Sequence, residues 1–263
     1  MINILVNGAA GRMGQAVVAA VLDDPDLNLV AAVDVRTGVD VGELVGKNVC
    51  GVIIEDDLES AIMTHQPQVM VDFTRPDVVM ENISIALNAK VSPVVGTTGI
   101  TPDYVEKIRA LTQVNNTPAF IAPNFAIGAV LMMLMAQRAA KYMPDVEIIE
   151  LHHDNKLDAP SGTALHTAQM IAEVRAEHKQ GHPDETEKFP GARGAEFEGM
   201  HIHSVRLPGF VAHQEVILGG LGQTLSIRHD SLSRESFMPG VILACKKVLG
   251  LNGLTVGLDK LLD

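Results

Sequence analysis

The feature that most constrains the fold is an alternation, over residues 2–122, of short apolar runs with longer amphipathic stretches. The runs are rich in β-branched residues and have strand lengths, whereas the stretches between them follow helical spacing. The runs are 2–6, 29–34, 69–73, 92–96 and 118–122, and the helical stretches are 12–23, 57–65, 77–88 and 103–114. Strands that are apolar on both faces and separated by helices indicate βαβ units. We therefore predict an α/β fold with a Rossmann-like, doubly wound parallel sheet.

The pattern changes after about residue 145. Strand-like segments at 146–153, 201–207, 213–218 and 223–229 follow without a regular helix between each pair, and the glycine-rich link 219–222 suits a hairpin. One helix is predicted over 162–178, and residues 179–200, rich in glycine, proline and charge, predict a long loop. These segments indicate a second, α+β domain with an open mixed sheet. A last helical pattern around 237–249 fits either domain.

Charge and composition exclude several classes of protein. With 20 basic and 32 acidic residues the net charge is -12, which repels nucleic acid and anionic lipid, so neither is expected as a partner. The longest uncharged apolar run, 126–136, is shorter than the roughly twenty residues that span a bilayer, and it predicts a buried helix. Because the N-terminal MINILVNGAAG lacks the features of a secretory signal, we expect a cytoplasmic protein.

A glycine-rich turn, NGAAGRMG, joins the first predicted strand to the first helix. Glycines 8, 11 and 14 let the backbone turn tightly and approach a pyrophosphate, whose charge is met by the amides of the helix N-terminus. The spacing departs from G-x-G-x-x-G, but the strand before it, the helix after it and Asp34 at the end of the second strand favour dinucleotide binding. Asp34 suits the ribose of NAD and Arg36 the 2′-phosphate of NADP, so both cofactors stay open.

Two more polar loops, DFTRP (72–76) and VGTTG (95–99), follow predicted strands of the same sheet. Ligands of open α/β sheets bind beyond the carboxyl ends of the strands, where both loops are expected. Each loop alone is equally well explained as turn chemistry. Their shared position favours a ligand site.

A second group of polar residues lies in LHHDNKLDAPSGTA, residues 151–164. Strand alternation would send His152 and His153 to opposite faces, so both can serve one site only if the strand ends at one of them. Ser161 is a good N-cap for the next helix, whose first amides, at Gly162 and Thr163, suit a carboxylate. Lys156 adds a cation that could bind a second anionic group or give a proton. The cluster predicts an acid/base site for a small polyanion, although any one of these residues could be structural.

Three further histidines raise the question of a metal site. His201 and His203 share a strand face, and His213 is not far in sequence, but no fourth ligand with suitable spacing is present. Cys50 and Cys245 fit no metal or redox motif. No metal is expected.

The long motif EIIELHHDNKLDAPSGTA (147–164), together with GAAGRMG, DFTRP, VGTTG and APNF (122–125) in this order, resembles the 4-hydroxy-tetrahydrodipicolinate reductases of lysine and diaminopimelate biosynthesis. The resemblance spans the whole chain. It implies that His152 donates and accepts a proton and that Lys156 is a proton donor. The implied substrate-binding residues are His153, Gly162, Thr163 and Thr98. The implied contacts to NADH or NADPH are Gly8, Ala9, Ala10, Gly11, Arg12, Met13, Asp34, Gly96, Thr97, Thr98, Ala122, Pro123, Asn124 and Phe125.

The resemblance also implies an organisation and a reaction. Residues 1–123 and 232–263 would form the dinucleotide-binding domain, and residues 124–231 a domain for substrate binding and oligomerisation, within a homotetramer joined through the second sheet. The reaction would transfer hydride from the nicotinamide to C4 of a cyclic dicarboxylate imine, with loss of the 4-hydroxyl as water. Two alternatives stay open: another two-domain NAD(P)-dependent dehydrogenase, and a nucleotide-binding redox sensor without catalysis.

Overall fold

A computed structural model describes residues 1–176 and 178–262. The strands are β1 (Ile2–Asn7), β2 (Leu27–Val33), β3 (Ile54–Glu55), β4 (Val69–Asp72), β5 (Ser92–Val95), β6 (Ala119–Ile121), β7 (Asp145–His152), β8 (Ala195–Phe197), β9 (Met200–Arg206), β10 (Ala212–Gly220), β11 (Gln223–Ser231) and β12 (Leu254–Val256). The helices are α1 (Arg12–Asp23), α2 (Val41–Leu44), α3 (Leu58–His65), α4 (Val79–Asn88), α5 (Pro102–Asn115), α6 (Ile127–Ala140), α7 (Gly162–Ala172) and α8 (Met238–Lys247), with 3₁₀ turns at Arg234–Phe237, Val248–Gly250 and Leu258–Leu261.

The chain forms two compact units. Unit 1 comprises Met1–Phe125 and the segment from Phe237 onward, and unit 2 comprises Ala126–Ser236. The functional division predicted for residues 1–123 with 232–263 and for 124–231 stays a prediction. The predicted domain end at residue 263 lies outside the described residues.

Unit 1 contains a parallel sheet in the order β12-β6-β5-β4-β1-β2-β3. The central strands are buried along their length because helices cover both faces, as their continuous apolar sequence predicts. The strand order reverses at β1, whose neighbours are β2 and β4, and ligands of doubly wound sheets bind at the carboxyl edge of such a reversal. The predicted Rossmann-like sheet is confirmed.

Capping side chains and prolines mark several helix starts of unit 1, and two short strands of this unit were not predicted. The Thr101 hydroxyl accepts a hydrogen bond from the Tyr104 amide at 3.3 Å, and Pro102 begins α5. The two-residue β3 and the three-residue β12 were not predicted, because segments this short carry no periodicity.

Unit 2 contains a mixed sheet in the order β11-β10-β7-β9-β8. Among the strand pairs that the described residues form in this sheet, only β7–β9 is parallel. Strands β10 and β11 form the predicted hairpin. The alternate β7 residues Val146, Ile148 and Glu150 are buried, on the face that α7 contacts. The predicted second α+β domain with a mixed sheet is confirmed.

Three predictions for unit 2 were wrong in detail. The helix predicted over 162–178 ends at Ala172, and its residue 177 lies outside the described residues. The predicted loop 179–200 contains the edge strand β8, whose three residues are too few to show alternation. The helix predicted to be buried over 126–136 is exposed in part, since Met135 of α6 is 55 % exposed while Met132 and Met133 are buried. No helix in the described part of the chain is long and apolar enough to cross a membrane.

Candidate active site

The glycine-rich turn of unit 1 is shaped by close backbone contacts. Gly8 has a φ of +82°, and a Cβ on Gly14 would lie 1.9 Å from the Gly8 carbonyl oxygen, so α1 can start this close to β1 only with glycine. The N-cap residue of α1, Gly11, makes no side-chain cap hydrogen bond. Glycines 8 and 14 thus leave the first turn of the helix open to an approaching anion.

Asp34, at the end of β2, fastens this turn. Its Oδ2 accepts a hydrogen bond from the Ala10 amide at 2.9 Å, and its Oδ1 accepts one from the Arg36 amide at 3.2 Å. The Arg36 side chain is exposed, as are Gly11 and Arg12. Asp34 therefore has a structural role in the turn in addition to its predicted contact with a ribose.

The two polar loops of unit 1 are joined through a buried carboxylate that sequence reasoning missed. Asp72 is fully buried and accepts hydrogen bonds from the Asn7 and Asn82 side-chain amides, from the Thr97 hydroxyl at 2.6 Å, and from both the amide and the hydroxyl of Thr74. The Thr74 amide also donates to the Thr97 hydroxyl at 2.8 Å. The loops 72–76 and 95–99 thus meet at the carboxyl edge of the sheet, as their placement after β4 and β5 predicts.

The other predicted cofactor contacts lie in unit 1 in differing environments. Phe125 is buried, and its ring packs against those of Phe73 and Phe120 at centroid distances of 5.8 and 5.9 Å. Ala9, Thr97 and Ala122 are buried, whereas Ala10, Met13, Gly96 and Asn124 are half-buried, and Thr98 and Pro123 are exposed.

In unit 2, β7 ends at His152, which confirms the prediction that the strand breaks at one of the two histidines. His152 lies two residues after Glu150 and on the same face, and its Nδ1 is 2.5 Å from Glu150 Oε2. His153 follows the strand end and is exposed. The strand therefore presents only His152 to the side of the sheet that carries Glu150.

Glu150 binds His152 and also forms two hydrogen bonds with Arg206. Burial alone would raise the pKa of Glu150, but hydrogen bonds from His152, Arg206 and Ser204 outweigh it and lower the pKa to about 2. Arg206 donates to both carboxylate oxygens, at 2.8 and 2.7 Å. A glutamate two residues before a histidine on a strand could have been found from alternation, whereas nothing in the sequence pointed to Arg206.

The loop after β7 brings the remaining predicted residues of unit 2 together. Lys156 Nζ is 2.7 Å from Asp158 Oδ1, and the pKa of Asp158 is lowered chiefly by this hydrogen bond. Ser161 caps α7 by accepting from the Ala164 amide at 3.2 Å, as predicted, and its own amide donates to Glu150 Oε1 at 3.2 Å. Gly162 and Thr163 form the start of the helix, so its N-terminus lies beside the Glu150 group.

Of the three other histidines, two are paired with carboxylates elsewhere in unit 2, whereas the buried Nδ1 of His201 has no hydrogen-bond partner among the described residues. His203 Nε2 is 2.6 Å from Glu147 Oε2, and His213 Nδ1 is 2.6 Å from Asp230 Oδ1. No group of three or more potential ligands among residues 1–176 and 178–262 is arranged to hold a metal ion.

A doubly wound sheet with a glycine-rich turn at its strand reversal is typical of dinucleotide-dependent oxidoreductases. The chain belongs to the dihydrodipicolinate reductase family, since the model of the family's N-terminus matches residues 2–125 and that of its C-terminus residues 128–262. Membership assigns to it NAD(P)H-dependent reduction of 4-hydroxy-tetrahydrodipicolinate in lysine and diaminopimelate biosynthesis. This outcome replaces the two alternatives left open by the sequence.

Individual relatives agree with this membership. The chain is 55 % identical to the 4-hydroxy-tetrahydrodipicolinate reductase of Desulfitobacterium hafniense, over 100 % of this chain and 99 % of that protein. It is 53 % identical to the enzyme of the same name from Halalkalibacterium halodurans, over the full length of both. Its fold is similar to the dipicolinate-bound dihydrodipicolinate reductase of Paenisporosarcina sp. TG-14, with a TM-score of 0.89, 48 % identity and 99 % of each chain covered.

Proposed function

We propose that unit 2 binds the dicarboxylate and handles the proton of this reaction through His152 and Lys156, while unit 1 binds NADH or NADPH. The observation that carries the proposal is the end of β7, where the imidazole fixed by Glu150 lies beside the loop of Lys156 and the capped start of α7. Reduction at an imine-containing ring needs a proton source and a site for two carboxylates, and this region offers both kinds of group.

The carboxylate site is proposed at the start of α7. The first amides of a helix carry the positive end of its dipole and favour an anion, and in α7 these amides belong to Gly162 and Thr163. The Lys156 ammonium and the exposed His153 are proposed to assist. The relative from Paenisporosarcina, bound to dipicolinate, supports a dicarboxylate as the ligand.

The proton is proposed to pass through His152 Nε2. Its Nδ1 is engaged by Glu150, which leaves Nε2 as the ring nitrogen available to a substrate. Lys156 is proposed as the proton donor, and its half-buried ammonium is held by Asp158 at 2.7 Å. Both groups belong to one short stretch of chain, so a single bound molecule could contact both.

The glycine turn of unit 1 fits a dinucleotide, because the glycines at 8 and 14 let α1 start close to β1 and the N-cap residue Gly11 has no side chain to cover the first turn. We propose residues 8–13 for the pyrophosphate, Asp34 for a ribose, and residues 96–98 and 122–125 for the remaining contacts. When bound, the reduced nicotinamide supplies the hydride. Preference between NADH and NADPH is proposed to depend on Asp34 and Arg36.

We also propose a cytoplasmic homotetramer, joined through the sheet of unit 2, that does not bind nucleic acid. The proposal is supported by the biosynthetic role of the family and by the net charge of -12. The hairpin of β10 and β11 exposes Leu221 and Leu225, which an interface would cover. Sedimentation equilibrium tests the tetramer, and a monomer at micromolar concentration would contradict it.

The catalytic proposal is tested by following NADH and NADPH oxidation with substrate made in situ from pyruvate and aspartate semialdehyde. Replacement Lys156→Ala should lower kcat by roughly a hundredfold or more, as loss of a general acid does, with little change in NAD(P)H binding. Lys141→Ala, at an exposed lysine just after α6, is the matched control and should keep wild-type turnover. Wild-type kcat in Lys156→Ala would remove the proposed role of Lys156.

A further inference from the structure

Arg206, the last residue of β9, contacts both parts of the proposed proton site. It is the register partner of His152 in the β7–β9 pair. Its Nη1 donates to Glu150 Oε2 and its Nη2 to Glu150 Oε1, while Nη2 also donates to the Asp158 carbonyl oxygen at 2.7 Å. The guanidinium thus connects the carboxylate that binds His152 with the loop that carries Lys156.

The Glu150 carboxylate leaves His152 little freedom. The carboxylate is 0 % exposed and accepts two hydrogen bonds from Arg206 and one each from the Ser161 amide, His152 and the Ser204 side chain. A paired guanidinium and carboxylate have a fixed planar geometry, so the oxygen that faces the imidazole cannot swing away. An acceptor fixed at Nδ1 holds the ring in the tautomer that carries its proton there.

We infer that Glu150 and Arg206 are positioning residues for the two proposed proton groups: Glu150 sets the ring and tautomer of His152, and Arg206 holds both Glu150 and the loop of Lys156. The inference rests on the proposed roles of His152 and Lys156. It predicts that geometry at position 206, and not positive charge alone, sets the rate. A lysine there keeps the charge but cannot make the paired bonds to Glu150 while also reaching the Asp158 carbonyl.

The test compares Glu150→Gln, Arg206→Lys and Arg206→Ala with Arg193→Lys as the matched control. Arg193 forms an ion pair at 2.7 Å with Glu147, which lies on β7 as Glu150 does but on the opposite face of the strand. We expect kcat to fall by about a hundredfold in the first three variants, the loss that a misplacement of about 1 Å brings, with the KM for NADH or NADPH unchanged. Arg193→Lys should keep the wild-type kcat.

A second readout does not depend on turnover. The ¹⁵N chemical shifts of the His152 ring, assigned by comparison with His152→Gln, report which nitrogen carries the proton. Glu150→Gln and Arg206→Lys should lose the single Nδ1–H tautomer, whereas Arg193→Lys should keep it. Millimolar guanidinium should restore both turnover and tautomer in Arg206→Ala, and ammonium should restore neither, a result that lost folding would not give.

Wild-type kcat in Arg206→Lys, together with an unchanged His152 ring signal, would overturn the inference, as would equal rescue by ammonium. If His152→Gln and Lys156→Ala themselves keep wild-type turnover, the proposed site fails. If these two are impaired while the Arg206 variants are not, only the positioning inference fails.

Discussion

Strand β7 carries two glutamates, Glu147 and Glu150, each bound by one histidine and one arginine, and the two groups differ in what they are attached to. Glu147 is 27 % exposed and pairs with His203 and Arg193, the latter from the segment 179–200. Glu150 is 0 % exposed and pairs with His152 and Arg206. Their odd spacing puts them on opposite faces of the sheet.

The comparison shows that two groups built from the same residue types, a glutamate, a histidine and an arginine, can have different roles. The Glu147 group fastens a long surface segment, since Gln180 also donates to Glu147, at 3.1 Å. The Glu150 group binds the strand end and the helix start that carry the proposed chemistry. Burial and neighbours, and not the residue types, separate the two.

The largest difference is expected in stability. Glu150→Ala leaves the Arg206 charge without its buried partner and should lower the free energy of unfolding by about 3–5 kcal/mol. Glu147→Ala breaks a partly exposed pair and should cost less than about 1 kcal/mol. Native-state hydrogen exchange of the β7 amides measures both, and equal losses would show that burial does not distinguish the two groups.

A smaller difference is expected in acid stability. The folded pKa of Glu150 is about 2, below its ordinary value of 4.5, so the folded state binds fewer protons between these values and stability falls as pH falls through this window. Glu150→Gln should remove roughly 3 kcal/mol of the pH-dependent part of the free energy of unfolding. The fall in stability that this carboxyl causes between about pH 5 and 2 is then absent. Urea unfolding at several pH values tests this.

Glu147 provides the comparison for the acid experiment. Burial alone would raise its pKa, but hydrogen bonds from His203 and Arg193 lower it below its ordinary value. Glu147→Gln should therefore reduce the dependence in the same direction and by less, because the group is partly solvated. A steeper fall with Glu147→Gln than with Glu150→Gln would contradict this order.

The smallest effect is expected in the 179–200 segment. Arg193→Gln removes its pairs with Glu147 and Glu185 and should speed proteolysis of this segment by up to about fivefold, the worth of an exposed pair. Arg206→Gln should leave that rate unchanged. Limited proteolysis followed by mass spectrometry locates the cuts. Faster cleavage of segment 179–200 in Arg206→Gln would show that the Glu150 group also stabilises this segment.

Much of this arrangement was predictable because it depends on neighbours in sequence. Strands β1, β2, β4, β5 and β6 of unit 1, the cap at Ser161 and the end of β7 at His152 follow from local patterns. The partners Arg206 and Asp72 were missed because their contacts come from residues distant in sequence, and tertiary packing alone brings these together. The strands β3, β8 and β12 were missed because two or three residues show no period.

The buried Asp72 has a consequence for how this protein can vary. Its carboxylate is satisfied by side chains of Asn7, Thr74, Asn82 and Thr97, all neutral, from the end of one strand, two loops and a helix. Loss of the Asn7 or Asn82 amide leaves a buried lone pair of Oδ2 without a partner, and loss of Asp72 leaves all four side chains without this acceptor. Single replacements at these positions are therefore costly, while paired ones are less so. Homologues that differ from this chain at one of these positions should therefore tend to differ at a second, and the five positions should covary as a set.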